Sequence, residues 1–499
     1  MFTPLSPARS RATLLALALS VSGVLLGSTI LNVALPSLAH ALGATLFEQQ
    51  WILNSYTLTF AGFLLIAGVV GDRFGLTRTL MIGLIGFLVT SAAAALAPNV
   101  AVLILARALM GIAAALIMPI SLAIILRVFP REARARAISI WAASSVLAIS
   151  AGPLIGGALL SAGFWWGSVL VFVAVLAAVA LAVSARAIPR IPGSGVGELR
   201  WVPVIASVAG IALLVFGVLN GGQDGWTSPL TLGPLALGIL IVAVLVWTER
   251  RHPRALVDVA LFRHPGFGIA TLALTVGSFV LFGYLYFIMF YLSEERGLSP
   301  FASGLVLLPL SAALVIGAPL SRLIAERIGM LMTLTSGLLL MALALGGHIF
   351  LSADTPIPSL MGLAFVLQFG FALVLTPGTA GATTGVPADR AGAASALLNT
   401  LRQLGSALGV AVLGSLLWGI YAAGVRPVAG ALSASARDAV EGSLSAALST
   451  GVSEISMAAT RAFLDGLHLS VLVAAVVSLL AGVLTLTAWL RRRGTRRTA

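Results

Sequence analysis

Cysteine is absent from the 499 residues, and so is lysine. The first absence excludes disulfides and thiolate metal sites. The second leaves arginine as the carrier of every basic side chain other than histidine, 29 in all. Charge is scarce altogether: 9% of residues are charged and 59% are hydrophobic. Soluble domains carry about 25% charged and about 45–50% apolar residues. Composition therefore excludes an ordinary soluble domain and points to an integral membrane protein. A net charge of +13 would suit a nucleic-acid binder. The arginines, however, stand in short loops beside apolar runs, so nucleic acid is not an expected partner.

A further absence is positional. All 16 acidic residues fall in loops or at the ends of apolar runs, and none lies at the centre of one. The polar residues inside the runs are uncharged, apart from Arg107 and Arg402.

A bilayer core takes about 20 mostly apolar residues per helix. Fourteen such runs lie between residues 13 and 490. The first, preceded by Arg9 and Arg11, resembles a signal peptide, but it is longer than the 7–15 residues of an h-region. It reads as an uncleaved first span that closes at Pro36. An even number of spans puts both termini on one side. With the termini cytoplasmic, 23 of the 29 arginines lie inside and four outside, with two in spans. This bias sets the orientation in a cytoplasmic membrane. Residues 186–201 and 249–266 form two basic cytoplasmic linkers, and 423–466 an external loop rich in Ala and Ser. The GSGVG in the first linker follows no strand and is a linker, not a dinucleotide site.

A short element repeats. Asp72-Arg73-Phe74-Gly75 follows the second span, and Glu326-Arg327-Ile328-Gly329 follows the tenth. The repeat divides the chain into a six-helix bundle (1–185), linkers with two inserted helices (186–266), a second six-helix bundle (267–490) and a basic tail (491–499). Repeated bundles with the path between them are the layout of secondary transporters. The fold class expected is all-α and membrane-embedded, with fourteen spans.

Individual residues carry physical expectations. Gly68 and Gly75 permit close approach and a tight turn. Gly152, Pro153, Gly156 and Gly157 give a small-residue helix face with a proline, suited to close helix packing. Arg107 and Arg402 are costly in hydrocarbon, by roughly 2.5–3.5 kcal/mol on insertion scales, and so should face the bundle interior. Thr29, Asn32, Asn54, Tyr56, Gln368 and Asn399 are expected to line a polar, uncharged path. Taken singly, each is also an ordinary interhelical hydrogen-bonding residue.

Several ordered motifs resemble the major facilitator superfamily, in particular its fourteen-span drug:proton antiporters. They are GVVGDRFGLTR (68–78), LARALMG (105–111), AGPLIGG (151–157), FWWGS (164–168) and LNTLRQLGSALGVA (398–411). The last two are similar to stretches of quaternary-ammonium and antibiotic exporters. The resemblance spans about residues 14–490. It implies a gate latch at Asp72 with Arg73 and Arg78, a proton-coupling role for Arg107, and an antiporter role for the helix 5 motif. Arg402 resembles the Arg-Gln of helix 13 and is a further coupling candidate. It implies a monomer that moves a small molecule, with protons as the candidate coupling ion and no cofactor, metal or enzymatic activity.

The sequence departs from that pattern where coupling is concerned. LGSTILNVALP (26–36) carries Gly27 where relatives commonly carry Asp. Asn54 and Asn220 stand where other acids are frequent, with Asp224 four residues on. Coupling could then use a peripheral acid such as Glu48 or Asp224, or His348 or His468, or be absent. The leading expectation is efflux of small amphiphilic drugs, antibiotics or antiseptics by alternating access. The alternative is a specific metabolite transporter without proton coupling. An acid introduced at Gly27 is expected to create or strengthen proton dependence.

Overall fold

The computed structural model describes residues 6–193, 200–252, 261–262, 265–352, 354–383, 391–430 and 432–497. The side chains of Asp72 and Asp224 lie outside the described set. Among the described residues the regular structure is helical, without strands. Fourteen long helices follow one another, numbered here α1 (Pro7–Leu42), α2 (Leu46–Phe74), α3 (Leu76–Ala95), α4 (Val100–Val128), α5 (Arg131–Ser161), α6 (Ser168–Ala187), α7 (Trp201–Asp224), α8 (Pro229–Glu249), α9 (Pro265–Phe290), α10 (Pro300–Ile328, broken at Leu307), α11 (Met330–His348), α12 (Ile357–Thr383), α13 (Ala391–Ala429) and α14 (Ser453–Arg497). Twelve are long and apolar enough, among the described residues, to cross a membrane; α2 and α5 are as long but contain side chains outside that set.

Local chemistry sets the helix ends. Helix α1 runs through Pro36 and stops at Gly43, whose φ of 63° is the left-handed geometry glycine adopts without cost. Pro36 therefore does not close the first span, as its position suggested. A proline removes one backbone hydrogen bond, and the packed helix tolerates that loss. Thr45 and Glu48 form a reciprocal capping box at the start of α2, with the Glu48 carboxylate accepting from Thr45 N at 2.8 Å and from its hydroxyl at 2.9 Å. Much of the expected external loop is also helical. α14 begins at Ser453, and two short helices, Ala434–Gly442 and Leu444–Ser449, precede it.

The repeated tetrapeptides fold alike. Gly75 (φ 96°, ψ 134°) and Gly329 (φ 85°, ψ 156°) each end one helix and begin the next. A side chain is strained at such a φ. The packing repeats as well. α1 lies against α5 and α6, α2 against α4, and α3 against α4 and α6; correspondingly α9 lies against α13 and α14, α10 against α12, and α11 against α12 and α14. The inserted helices pair with each other; α7 also touches α2 and α13, and the Arg200 guanidinium meets the buried Glu249 carboxylate at 2.7 Å.

One end of the bundle carries the chain termini. There Arg9 Nε donates to Ala187 O at 3.0 Å, and the Thr77 hydroxyl to Pro189 O at 2.7 Å. The opposite end is called distal below. Contacts between α1–α6 and α9–α14 include a close crossing at that distal end, where Phe301 N donates to the Ser161 hydroxyl at 2.9 Å.

Candidate functional site

The distal crossing is made by the small residues of α5. A Cβ on Gly157 would stand 2.6 Å from Pro300 O, and one on Gly304 would stand 2.9 Å from Pro153 O. Such spacing admits only glycine, so the two backbones touch. Gly152 and Gly156 face α1 instead, against Thr29 and Ile30. A second distal tie joins α2 to α9 and α13: the Tyr286 hydroxyl accepts from Trp418 Nε1 at 3.0 Å and is hydrogen-bonded to the Gln50 amide. Midway along the bundle, the Thr400 hydroxyl donates to Ala61 O at 3.0 Å.

Immediately below this seal lies a cavity of about 540 Å³ counted to its open side, lined by Thr29, Asn32 and Val33 of α1, Ile149 and Pro153 of α5, Leu281, Phe282, Leu285 and Met289 of α9, Leu307, Leu310 and Ser311 of α10, and Gln368 of α12. Both repeated halves thus contribute walls. The wall is largely apolar with a few polar groups, the composition of sites that hold small molecules. None of the described lining residues is charged.

Three of the six expected path residues, Thr29, Asn32 and Gln368, line this cavity, and Asn54, Tyr56 and Asn399 are not among its lining residues. Asn54 is buried, with its Nδ2 unpaired among the described residues. Tyr56 is part of the Arg107 site. Its hydroxyl donates to Val24 O at 2.8 Å, and the Arg107 guanidinium lies 4.4 Å from its ring centroid. The walls supplied by α9 and α10 have no counterpart in the sequence reading. Their residues are the ordinary Leu, Phe and Met of a span, and only Ser311 carried a polar signal.

Arg107 is 1% exposed and satisfied by backbone: Nη1 donates to Gly27 O at 2.8 Å and Nε to Ile52 O at 3.2 Å. The carbonyls come from α1 and α2, so the cation ties three helices without an acid. Gly27 sits on this network through its carbonyl. A Cβ there would point at Phe87 (3.2 Å), Met110 and Val173, into the α1–α6 bundle. Arg402 is partly buried; its carbonyl accepts from the Ser406 hydroxyl at 3.2 Å, and its guanidinium has no hydrogen-bond or ion-pair partner among the described residues.

At the terminal end, Arg73 and Arg78 are exposed, and Gly75 lies against the segment after α6, with Ile191 N donating to the Thr77 hydroxyl at 3.1 Å. A Cβ on Gly68 would meet nothing within 4 Å. Three of the alternative coupling candidates are engaged elsewhere, and the side chain of the fourth, Asp224, lies outside the described residues. Glu48 caps α2; His348 contacts Ala344 O (2.8 Å) and the Tyr284 hydroxyl (3.2 Å); His468 Nε2 contacts Leu351 O at 2.7 Å.

Comparison with known proteins agrees with this architecture. Residues 17–410 match the Major Facilitator Superfamily. The chain belongs to this superfamily. It is 36% identical over 430 residues to the tetracenomycin C resistance and export protein of Streptomyces glaucescens, covering 83% of this chain and 78% of that one. It is 32% identical over 426 residues to the methyl viologen resistance protein SmvA of Salmonella typhimurium, covering 85% of each. Among solved structures, a bacterial homologue of the human lysosomal transporter Spinster, inward-facing and unoccupied, superposes with a TM-score of 0.69 at 20% identity over 97% of both chains. At that identity the likeness shows the fold alone.

Proposed function

We propose that this superfamily member exports small amphiphilic compounds, of the drug and antibiotic classes for which its relatives are named, across a bacterial cytoplasmic membrane. One observation carries the reading: a cavity built from both repeated halves lies directly beneath a closed distal seal. Alternating access needs a site reachable from one side at a time, and rocking of one half against the other about that site would release the seal. The arginine distribution supports a cytoplasmic position for both termini, so the seal closes the outer side. In this reading residues 1–185 and 267–490 are the moving bundles and 186–266 an inserted pair, fourteen spans in all, working as a monomer without enzymatic chemistry. Asp72 with Arg73, Gly75 and Arg78 serves as the inner latch, and Gly152, Pro153, Gly156 and Gly157 as the outer hinge surface.

Proton exchange is the default of the family resemblance, with Arg107, Arg402 and Asp224 as its candidates. A second reading, transport without protons, is favoured by a specific observation: no span carries a central acid, and Arg107 is held by carbonyls. Inside-out vesicles separate the two. ATP-independent uptake of a fluorescent amphiphile that rises with an inward-acid gradient supports antiport. Uptake indifferent to that gradient supports the second reading, and no uptake across a broad panel of compounds removes both.

A further inference from the structure

The cavity presents one side chain whose hydrogen-bonding capacity the protein leaves unused. Gln368, midway along α12, is 3% exposed and lines the cavity, and its side-chain amide makes no hydrogen bond among the described residues. Buried polar groups are nearly always satisfied, so a buried amide without a protein partner points to water or a ligand as its complement. A primary amide offers two N–H donors and a carbonyl acceptor side by side. Across the cavity, Asn32 Nδ2 donates to Thr29 O at 3.0 Å and the Thr29 hydroxyl to Leu25 O at 3.3 Å. The Thr29 hydroxyl and one of the two Asn32 N–H groups are used within α1, which leaves that wall with oxygen acceptors and a single amide donor. The wall from α9, with Leu281, Phe282 and Met289, is apolar.

Charge narrows the class of ligand. A permanent cation entering this cavity gives up hydration and meets no carboxylate to replace it, because no described lining residue is charged and the acids lie in loops or at the ends of the apolar runs. Arg107, buried and bonded to the same α1 segment through Gly27 O, is of the same sign as such a ligand. A neutral molecule incurs neither cost.

We propose that Gln368 is the specificity-determining residue of the cavity, reading an adjacent donor and acceptor on an uncharged amphiphile, such as a carboxamide or a hydroxyl beside a ketone, while permanent cations are excluded. Movement of that ligand rests on the export reading above; its binding does not.

The test uses the full chain in lipid nanodiscs and two apolar probes of similar bulk. Anthraquinone-2-carboxamide is an uncharged quinone with a free carboxamide donor and acceptor, and tetraphenylphosphonium is a permanent cation. Calorimetry on the wild type should show the quinone binding about tenfold or more tighter than the cation. Gln368→Leu, which keeps the bulk and removes the amide, should weaken the quinone by about tenfold or more. Gln368→Glu should strengthen the cation relative to the wild type. Equal binding of both probes by the wild type, binding of neither, or an unchanged quinone affinity in a folded Gln368→Leu protein overturns the proposal. If the variants fail to fold, the wild-type comparison still decides. Gln368-dependent quinone binding without flux in vesicles would remove the export reading and leave this one standing.

Discussion

At the residue scale, Arg107 shows how a membrane bundle keeps a charge without a counter-charge. Its two donors reach helix carbonyls at 2.8 and 3.2 Å, and its face lies on the Tyr56 ring. Cation–π contacts of desolvated groups contribute about 2 kcal/mol. Each carbonyl already serves a helix and has a second lone pair to give. Gly27 belongs to this arrangement, and that changes what an acid there would do. Its Cβ direction leads to Phe87, Met110 and Val173, away from the cavity. Gly27→Asp should therefore bury a carboxyl among apolar side chains and lower stability by about 1–3 kcal/mol. Thermal unfolding in detergent would read the loss. The pH dependence of transport should stay as in the wild type. Newly acquired proton dependence at unchanged stability would show that the side chain reaches the path after all.

At the scale of elements, the α5–α10 crossing decides which side is shut. Gly157 and Gly304 let two backbones touch, and Phe301 N fastens them through Ser161. Small residues at membrane helix contacts act in this way. Gly157→Leu would put a branched side chain where a Cβ alone would already stand 2.6 Å from Pro300 O. The distal end should then open. Spin labels at Leu96→Cys and Phe350→Cys, exposed positions on the distal ends of α3 and α11, would report it as a longer distance than in the same pair without Gly157→Leu. The native sequence has no cysteine, so these would be the sole attachment points. An unchanged distance distribution in a folded protein would remove the crossing from the gating scheme. The same helix scale shows what a motif can and cannot say. AGPLIGG announced close packing, yet two of its glycines face α1 and one faces α10.

For the whole molecule, sidedness and packing must agree. The termini and the 72–75 and 326–329 turns share the arginine-rich end, while the closed crossing and the two short helices lie distal. A membrane-impermeant maleimide added to intact cells should label Ser449→Cys, in the second short helix, and spare Ser6→Cys beside α1. The reverse pattern would invert the export direction along with the orientation. Helix α8, touching α7 and otherwise apolar and exposed, has the surface expected of a lipid-facing element at the edge of the bundle.

Hydropathy and punctuation in the sequence were enough for the long helices, the repeated glycine turns and the family. These are local properties: apolar length sets a span, and a glycine with positive φ sets a tight turn. The distal limits of α1 and α14 were misread for the same reason. Pro36 is a strong local signal that packing overrides, and the Ala- and Ser-rich stretch before residue 467 lacks the apolarity of a span although it is helical from Ser453. Direction and partnership were beyond the sequence. It placed Tyr56 and Gln368 in one polar set, but the fold puts the first beneath Arg107 and leaves the second open to a cavity. It marked Gly27 as a missing acid, but only the packing of α1 against α3, α4 and α6 shows where that side chain would point. Helical periodicity gives a face its composition. What that face meets depends on helices hundreds of residues away, and that was decided by the tertiary structure.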